Sequence, residues 1–152
     1  MTKPLDQFGG WLKFFLVIQW INIVICGLTV LIALLTMITA ETFAQALEPV
    51  FLFFYSIMII LLCLRIVKAL KIKAPETPGR IIKLLTWVLS AAFIYAILEW
   101  SYYYFSQGPS ELSTTTTKSG GDVIRILIWY AIWTSYFKKS ARVAKYYGLN
   151  TK

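Results

Sequence analysis

The chain has 152 residues, of which 59% are hydrophobic and only 14% charged, and it carries a formal net charge of +8 with no histidine. A mean hydropathy of +0.69 excludes an ordinary soluble domain and describes an all-α, polytopic membrane protein. The missing histidines exclude His-based acid–base catalysis, haem ligation through histidine and His-containing metal sites, and Cys26 and Cys63 lie far from a CxxC spacing.

Residues 1–10 form a short polar leader ending in Gly9-Gly10, and an apolar run from Trp11 to about Met37 follows. That run is longer than a signal-peptide core, so it is expected to remain in the membrane uncleaved, although Ala44-Gln45-Ala46 has the small-residue form of a cleavage site. Within it Gln19, Asn22, Cys26, Thr29 and Ala33 recur at three and four residues and share one helix face. Amides left in lipid would be unsatisfied, so this stripe is expected to face the bundle, as packing contacts or as a polar pathway.

Residues 39–48 are expected to join the first two spans, with Pro49 in the first turn of a second span over about 50–70. The segment 71–80 holds Pro75, Pro78 and Gly79 and reads as a turn, with Thr77 and Pro78 as cap and first-turn residue of a third span over about 81–105. An aromatic belt, Trp100 with Tyr102, Tyr103, Tyr104 and Phe105, closes that span. Residues 107–122 are polar and expected to form a mobile loop. A fourth span over about 123–137 is short, about 22 Å on a helical rise. The tail 138–152, with Lys138, Lys139, Arg142 and Lys145 among aromatics, is therefore expected to continue as a basic interfacial helix on an anionic inner leaflet.

Twelve of the fifteen Lys and Arg residues lie in the leader, the 65–83 turn region and the tail, and Lys13 stands beside the leader at the entry of the first span. The expected architecture is one domain, 1–152, of four transmembrane helices in an antiparallel bundle with both termini cytoplasmic. Because the basic residues flank apolar spans, orientation accounts for the net charge and no nucleic-acid partner is expected.

Glu99 and Arg125 fall inside spans. Counted from Lys83 and Lys138 they rise about 24 and 20 Å, similar depths on consecutive antiparallel helices, which predicts an intramembrane ion pair that Asp122 could join. Trp129 and Trp133 share a face with Arg125 at i, i+4 and i+8, a geometry suited to guanidinium stacking. Thr86, Ser90 and Ser101 have no nearby base in sequence to activate them, so neither an enzyme nor any cofactor or metal site is expected.

Gly9-Gly10-Trp11-Leu12 ahead of the first span, together with Arg125, Trp133, Tyr136-Phe137, Ser140 and Arg142-Val143 at the end, resembles the domain of unknown function 2569 family of small bacterial membrane proteins. The resemblance implies a four-helix protein of the bacterial inner membrane and brings no activity or site with it. Where related chains often carry a proline between the Trp and the Tyr, this one has Thr134-Ser135. Small size and the lack of a catalytic constellation favour a non-enzymatic accessory or scaffold subunit of a larger membrane assembly. The alternative is a small homo-oligomeric transporter or channel using Glu99 and Arg125. Against export through an acid in the first span stands Gln19 and Asn22 where that acid would be.

Overall fold

The computed structural model describes residues 9–106 and 109–148, with the backbone alone for 44 and 109–120. It contains α1 Trp11–Thr39, α2 Phe43–Leu70, α3 Thr77–Ser106, α4 Pro109–Lys139 and α5 Ala141–Tyr147. Three of these, α1, α2 from Gln45 and α3, are long and apolar enough to cross a membrane. Each long helix packs on its chain neighbours, α1 on α2, α2 on α3 and α3 on α4. Short connections make each pair antiparallel.

The local chemistry sets several boundaries differently from the sequence expectation. The connection after α1 is short because α2 begins at Phe43, with Thr42 as its cap: the Thr42 hydroxyl accepts from Gln45 N at 3.3 Å, and the Gln45 side chain accepts from Glu41 N at 3.2 Å. Pro49 consequently lies inside α2 rather than in its first turn. Lacking an N–H, it leaves the Gln45 carbonyl without its usual helical donor. Thr77 begins α3, and its hydroxyl turns back to donate to Ile72 O at 2.9 Å, closing the turn instead of capping the helix.

The largest correction concerns the polar segment before the last span. Residues 109–122 continue the helix, and α4 has 31 residues, about 46 Å on a helical rise. Gln107 and Gly108 lie outside the described residues. The apparent shortness of the fourth apolar stretch is thus removed at its N-terminal side. At the other end α4 stops at Lys139 and the chain bends at Ser140, whose side chain accepts from Val143 N at 3.5 Å to start α5. The tail therefore does not continue α4 as one helix; α5 bends off it at Ser140 and buries Val143 and Tyr147 against the bundle. Burial raises the pKa of the Tyr147 phenol, and that neutral hydroxyl donates to Leu70 O at 3.2 Å.

Packing is concentrated at this end. Leu12 and Phe15 of α1, Ile66 and Leu70 of α2, Ile81 and Leu85 of α3, Trp133 and Phe137 of α4, and Val143 and Tyr147 of α5 form one buried cluster. Phe15 sits at its centre, with ring centroids 4.4 Å from Trp133 and 5.2 Å from Phe137. Lys73 of the 71–76 turn lies over the Tyr146 ring, 4.7 Å from its centroid. Gly10 caps α1 at φ 55°, ψ −128°, and a Cβ there would sit 3.2 Å from Arg142 Nη1. The Gly-Gly-Trp leader and the terminal Ser-x-Arg-Val pattern, far apart in sequence, therefore meet at one end of the bundle.

That backbone conformation is open to glycine and strained for any L side chain, at a cost of about 1–3 kcal/mol. Gly10→Ala is expected to lower the unfolding midpoint in mild detergent. Gly27→Ala, in mid-helix with nothing within 4 Å of its Cβ, is expected to leave it unchanged or raise it slightly. Equal midpoints for the two variants would refute the role assigned to Gly10.

Candidate functional site: a polar cavity closed at one end

Away from the aromatic cluster the helices separate. Ring contacts join α1 to α4 only through Trp11, Phe14 and Phe15 with Trp129, Trp133 and Phe137, and among the described residues these two helices do not pack along the rest of their length. The space between all four helices holds two adjoining cavities. An outer vestibule of about 950 Å³ is lined by Asn22 of α1, Glu48 and Tyr55 of α2, Tyr95, Glu99 and Tyr103 of α3, and Asp122 and Arg125 of α4. An inner chamber of about 330 Å³ lies towards the aromatic cluster, lined by Gln19, Asn22, Cys26, Tyr55, Ile59, Cys63, Val88, Arg125, Ile126 and Trp129. The two share Asn22, Tyr55, Arg125 and Ile126 as common walls.

Helical periodicity puts these groups here. On α3, Ala92, Tyr95, Ala96, Glu99 and Tyr103 recur at three and four residues, so a single face supplies small residues that make room and polar ones that line it. Tyr55 stacks on Tyr95 with centroids 4.5 Å apart and planes at 24°, and Tyr103 donates to Glu48 at 3.2 Å. On α1 the stripe Gln19, Asn22, Cys26, Thr29, Ala33 is the face turned inward: Gln19 and Ala33 are buried and the other three half-buried. Thr29 satisfies its own hydroxyl on Ile25 O at 3.0 Å.

Gln19 is fully buried, and neither its amide oxygen nor its amide nitrogen has a hydrogen-bond partner among the described residues. Such a group costs about 1–3 kcal/mol where it stands unpaired, and both amide atoms are closed off from the adjoining chamber by their neighbours.

The charged groups are arranged differently from the depth estimate made on sequence. The Thr86 hydroxyl meets the Tyr130 hydroxyl at 3.1 Å and sets the α3–α4 register. From that point Glu99 lies thirteen residues outward and Arg125 five, so their backbones are offset by about 12 Å along the axes. Both side chains line the vestibule, and the ion pair drawn at Arg125 is with Asp122, Nη1 to Oδ1 at 3.4 Å, with side chains 84% and 60% exposed. Trp129 and Trp133 follow Arg125 on its face, with ring centroids 6.5 Å apart. Lys138, Lys139 and Lys145 are exposed at the closed end, and Arg142 is half-buried against Gly10.

The terminal motif is a packing device. Trp133 and Phe137 fill the aromatic cluster, Ser140 caps α5, Val143 is fully buried and Arg142 covers Gly10. The α4 helix runs unbroken through Thr134-Ser135, where the Thr134 hydroxyl donates to Tyr130 O at 2.7 Å. A family model described as a protein of unknown function, DUF2569, matches residues 5–147. The chain belongs to the DUF2569 family. No curated protein and no solved structure matches it.

For this DUF2569 chain, sequence reasoning named Gln19, Asn22, Cys26, Asp122, Glu99 and Arg125 and missed Glu48, Tyr55, Tyr95 and Tyr103. The i, i+4, i+8 spacing of Tyr95, Glu99 and Tyr103 was available as a signal; Glu48, read as part of a connector, had none. The exposed Arg125–Asp122 contact is expected to contribute less than about 1 kcal/mol to folding. Arg125→Gln and Asp122→Asn should therefore each leave denaturant unfolding in detergent nearly unchanged; a loss of several kcal/mol would show that Arg125 is held by a buried partner.

Proposed function

We propose that this protein is a four-pass, non-enzymatic membrane protein of the bacterial inner membrane that binds a small solute between its helices and passes it across the bilayer. The observation that carries this reading is the cavity: it reaches from the far end of the bundle to the middle, polar groups line it, and the Phe15–Trp133–Phe137 cluster stops it before the basic end. A carrier caught open to one side has this form, with a packed plug where the opposite gate must part. A scaffold has no need of an interior cleft, and the membrane cost of the polar groups around one calls for a function.

The four-pass reading is supported by where α5 lies. It packs beside the start of α1, the end of α2 and the start of α3, so α4, antiparallel to α3, brings the chain back to the end from which it set out. Lys13, Lys68, Lys71, Lys73, Arg80, Lys83, Lys138, Lys139 and Lys145 collect at that end, which by the positive-inside rule faces the cytoplasm and its anionic leaflet.

An accessory role in a larger assembly is the second reading. It is favoured by the unfilled cleft between α1 and α4 and by a first helix of which only Leu12, Phe15, Gln19 and Ala33 are buried. A helix from a partner, or from a second copy, could fill that cleft.

Two measurements separate the readings. In a background with Cys26 and Cys63 replaced by alanine, Tyr95→Cys should be modified by a membrane-impermeant thiol reagent in intact cells. Lys138→Cys should be modified only in inverted vesicles. Failure to modify Tyr95→Cys from either side would mean that the cleft is filled, and a larger chain co-purifying in fixed ratio from native membranes would then establish the accessory role.

A further inference from the structure

We propose that the outer vestibule is a binding site for a lipophilic organic cation, held at Glu99 between two levels of tyrosine rings. The proposal rests on the solute-binding reading above and names the chemical class of the solute.

Charge selects the sign. Among the described residues the charged groups lining the vestibule are three carboxylates, Glu48, Glu99 and Asp122, each from a different helix, and one guanidinium, Arg125. Arg125 meets Asp122 at 3.4 Å, and its backbone lies about 12 Å further in than that of Glu99. Glu48 and Glu99 are half-buried, where a carboxylate acts on a neighbouring charge through less water than at an open surface. The outer part of the cavity therefore attracts cations and repels anions.

The rings select an organic cation. Two contacts fix the levels of α2 against α3: Tyr55 stacks on Tyr95 with centroids 4.5 Å apart, and Tyr103 donates to Glu48 at 3.2 Å. These levels are about 12 Å apart along α3, and Glu99 lies midway, one turn from Tyr95 and one from Tyr103 on the same face. A cation paired with Glu99 thus has a tyrosine on either side, and ring faces attract positive charge without requiring a hydrogen bond. The same spacing disfavours a bare metal ion, which needs several oxygens at one point. Glu48 stands a level away from Glu99, and among the described residues no three Cys, His, Asp or Glu side chains come together as a metal site. Ile25, Ala92 and Ala96 supply apolar wall, and the volume of about 950 Å³ is at the upper end of the range that houses drug-sized molecules.

The test uses the full chain in nanodiscs of zwitterionic lipid, with tetraphenylphosphonium as the probe and equilibrium dialysis against empty nanodiscs as the readout. Tetraphenylborate has the same shape and the opposite charge. Saturable binding of one phosphonium per chain is expected, with no saturable binding of the borate above empty discs and no displacement of the phosphonium by millimolar Mg²⁺. Glu99→Gln should weaken the phosphonium about tenfold or more, and so should Tyr95→Leu, whereas Tyr95→Phe, which keeps the ring, should leave it nearly unchanged. Arg125→Gln removes the one like charge and should tighten binding severalfold, while Arg125→Lys should not; a misfolded or merely loosened bundle gives no such gain. The proposal is overturned by equal saturable binding of the borate, by displacement with Mg²⁺, by an affinity that does not fall in Glu99→Gln, or by one that does not rise in Arg125→Gln. If Tyr95→Cys is modified from outside while the phosphonium does not bind, the carrier reading stands and the ligand class falls; if neither is seen, both fall.

Discussion

The bundle depends on one packed contact, the insertion of Phe15 between Trp133 and Phe137. It is where α1 and α4 are held together, since among the described residues the four long helices otherwise pack mainly on their chain neighbours and on α5. In lipid there is little hydrophobic gain in bringing apolar helices together, so the association has to come from close packing and from hydrogen bonds across helices. Three aromatic rings within about two helical turns supply that packing. The short helix α5 extends it by seating Val143 and Tyr147 in the angle between α2 and α3 and by giving the Leu70 carbonyl a donor.

Closing the bundle at one end has a geometric consequence at the other. Four helices of 28 to 31 residues joined firmly near one set of ends, with no comparable contact between α1 and α4 further out, leave a cleft that widens with distance from the joint. Small side chains on α3, Ala92 and Ala96, add to its width. Lipid-facing polar groups would be costly there, whereas polar groups lining a cleft that admits water or solute are tolerated. The same contact therefore explains why the helices hold and why Asn22, Glu48, Tyr55, Tyr95 and Glu99 can be accommodated inside them.

Much of this was legible in the sequence, and what was not has identifiable causes. The first three helices follow from apolar length, and the inward stripe of α1 from the recurrence of Gln19, Asn22 and Cys26 at helical spacing. The helix over 109–122 was hidden because Ser, Thr and Gly have low intrinsic helix propensity; α4 as a whole packs on α3, and tertiary context outweighs propensity in such a segment. Pro49 was misplaced because proline is favoured in a first turn, while here Thr42 and Gln45 form an earlier cap that starts the helix before the proline is reached. The depths of Glu99 and Arg125 were misjudged for a different reason. Counting from Lys83 and Lys138 assumes that those lysines mark the same level, but the Thr86–Tyr130 contact shows α4 continuing several residues beyond Lys83 at the closed end. Charge placement reads the membrane boundary only to within the reach of a lysine side chain, and register between helices is fixed by pair contacts that a single sequence does not display.

Gln19 shows how these levels act on one residue. Its position four residues from Phe15 is dictated by the packed end: any side chain there lies one turn outward of the plug, on the same face of α1, at the outer edge of that packing. Leucine at that position would fill the same space with no polar group to satisfy, and as a better helix former it would suit α1 at least as well. Neither packing nor propensity therefore explains an amide there. A scaffold would gain by losing it, since replacing an unpaired buried polar group by an apolar one of similar shape is commonly neutral or favourable to stability. Both amide atoms are closed off by their neighbours, so the cost of the unpaired group is carried by the packed end itself, whose aromatic contacts have to exceed it.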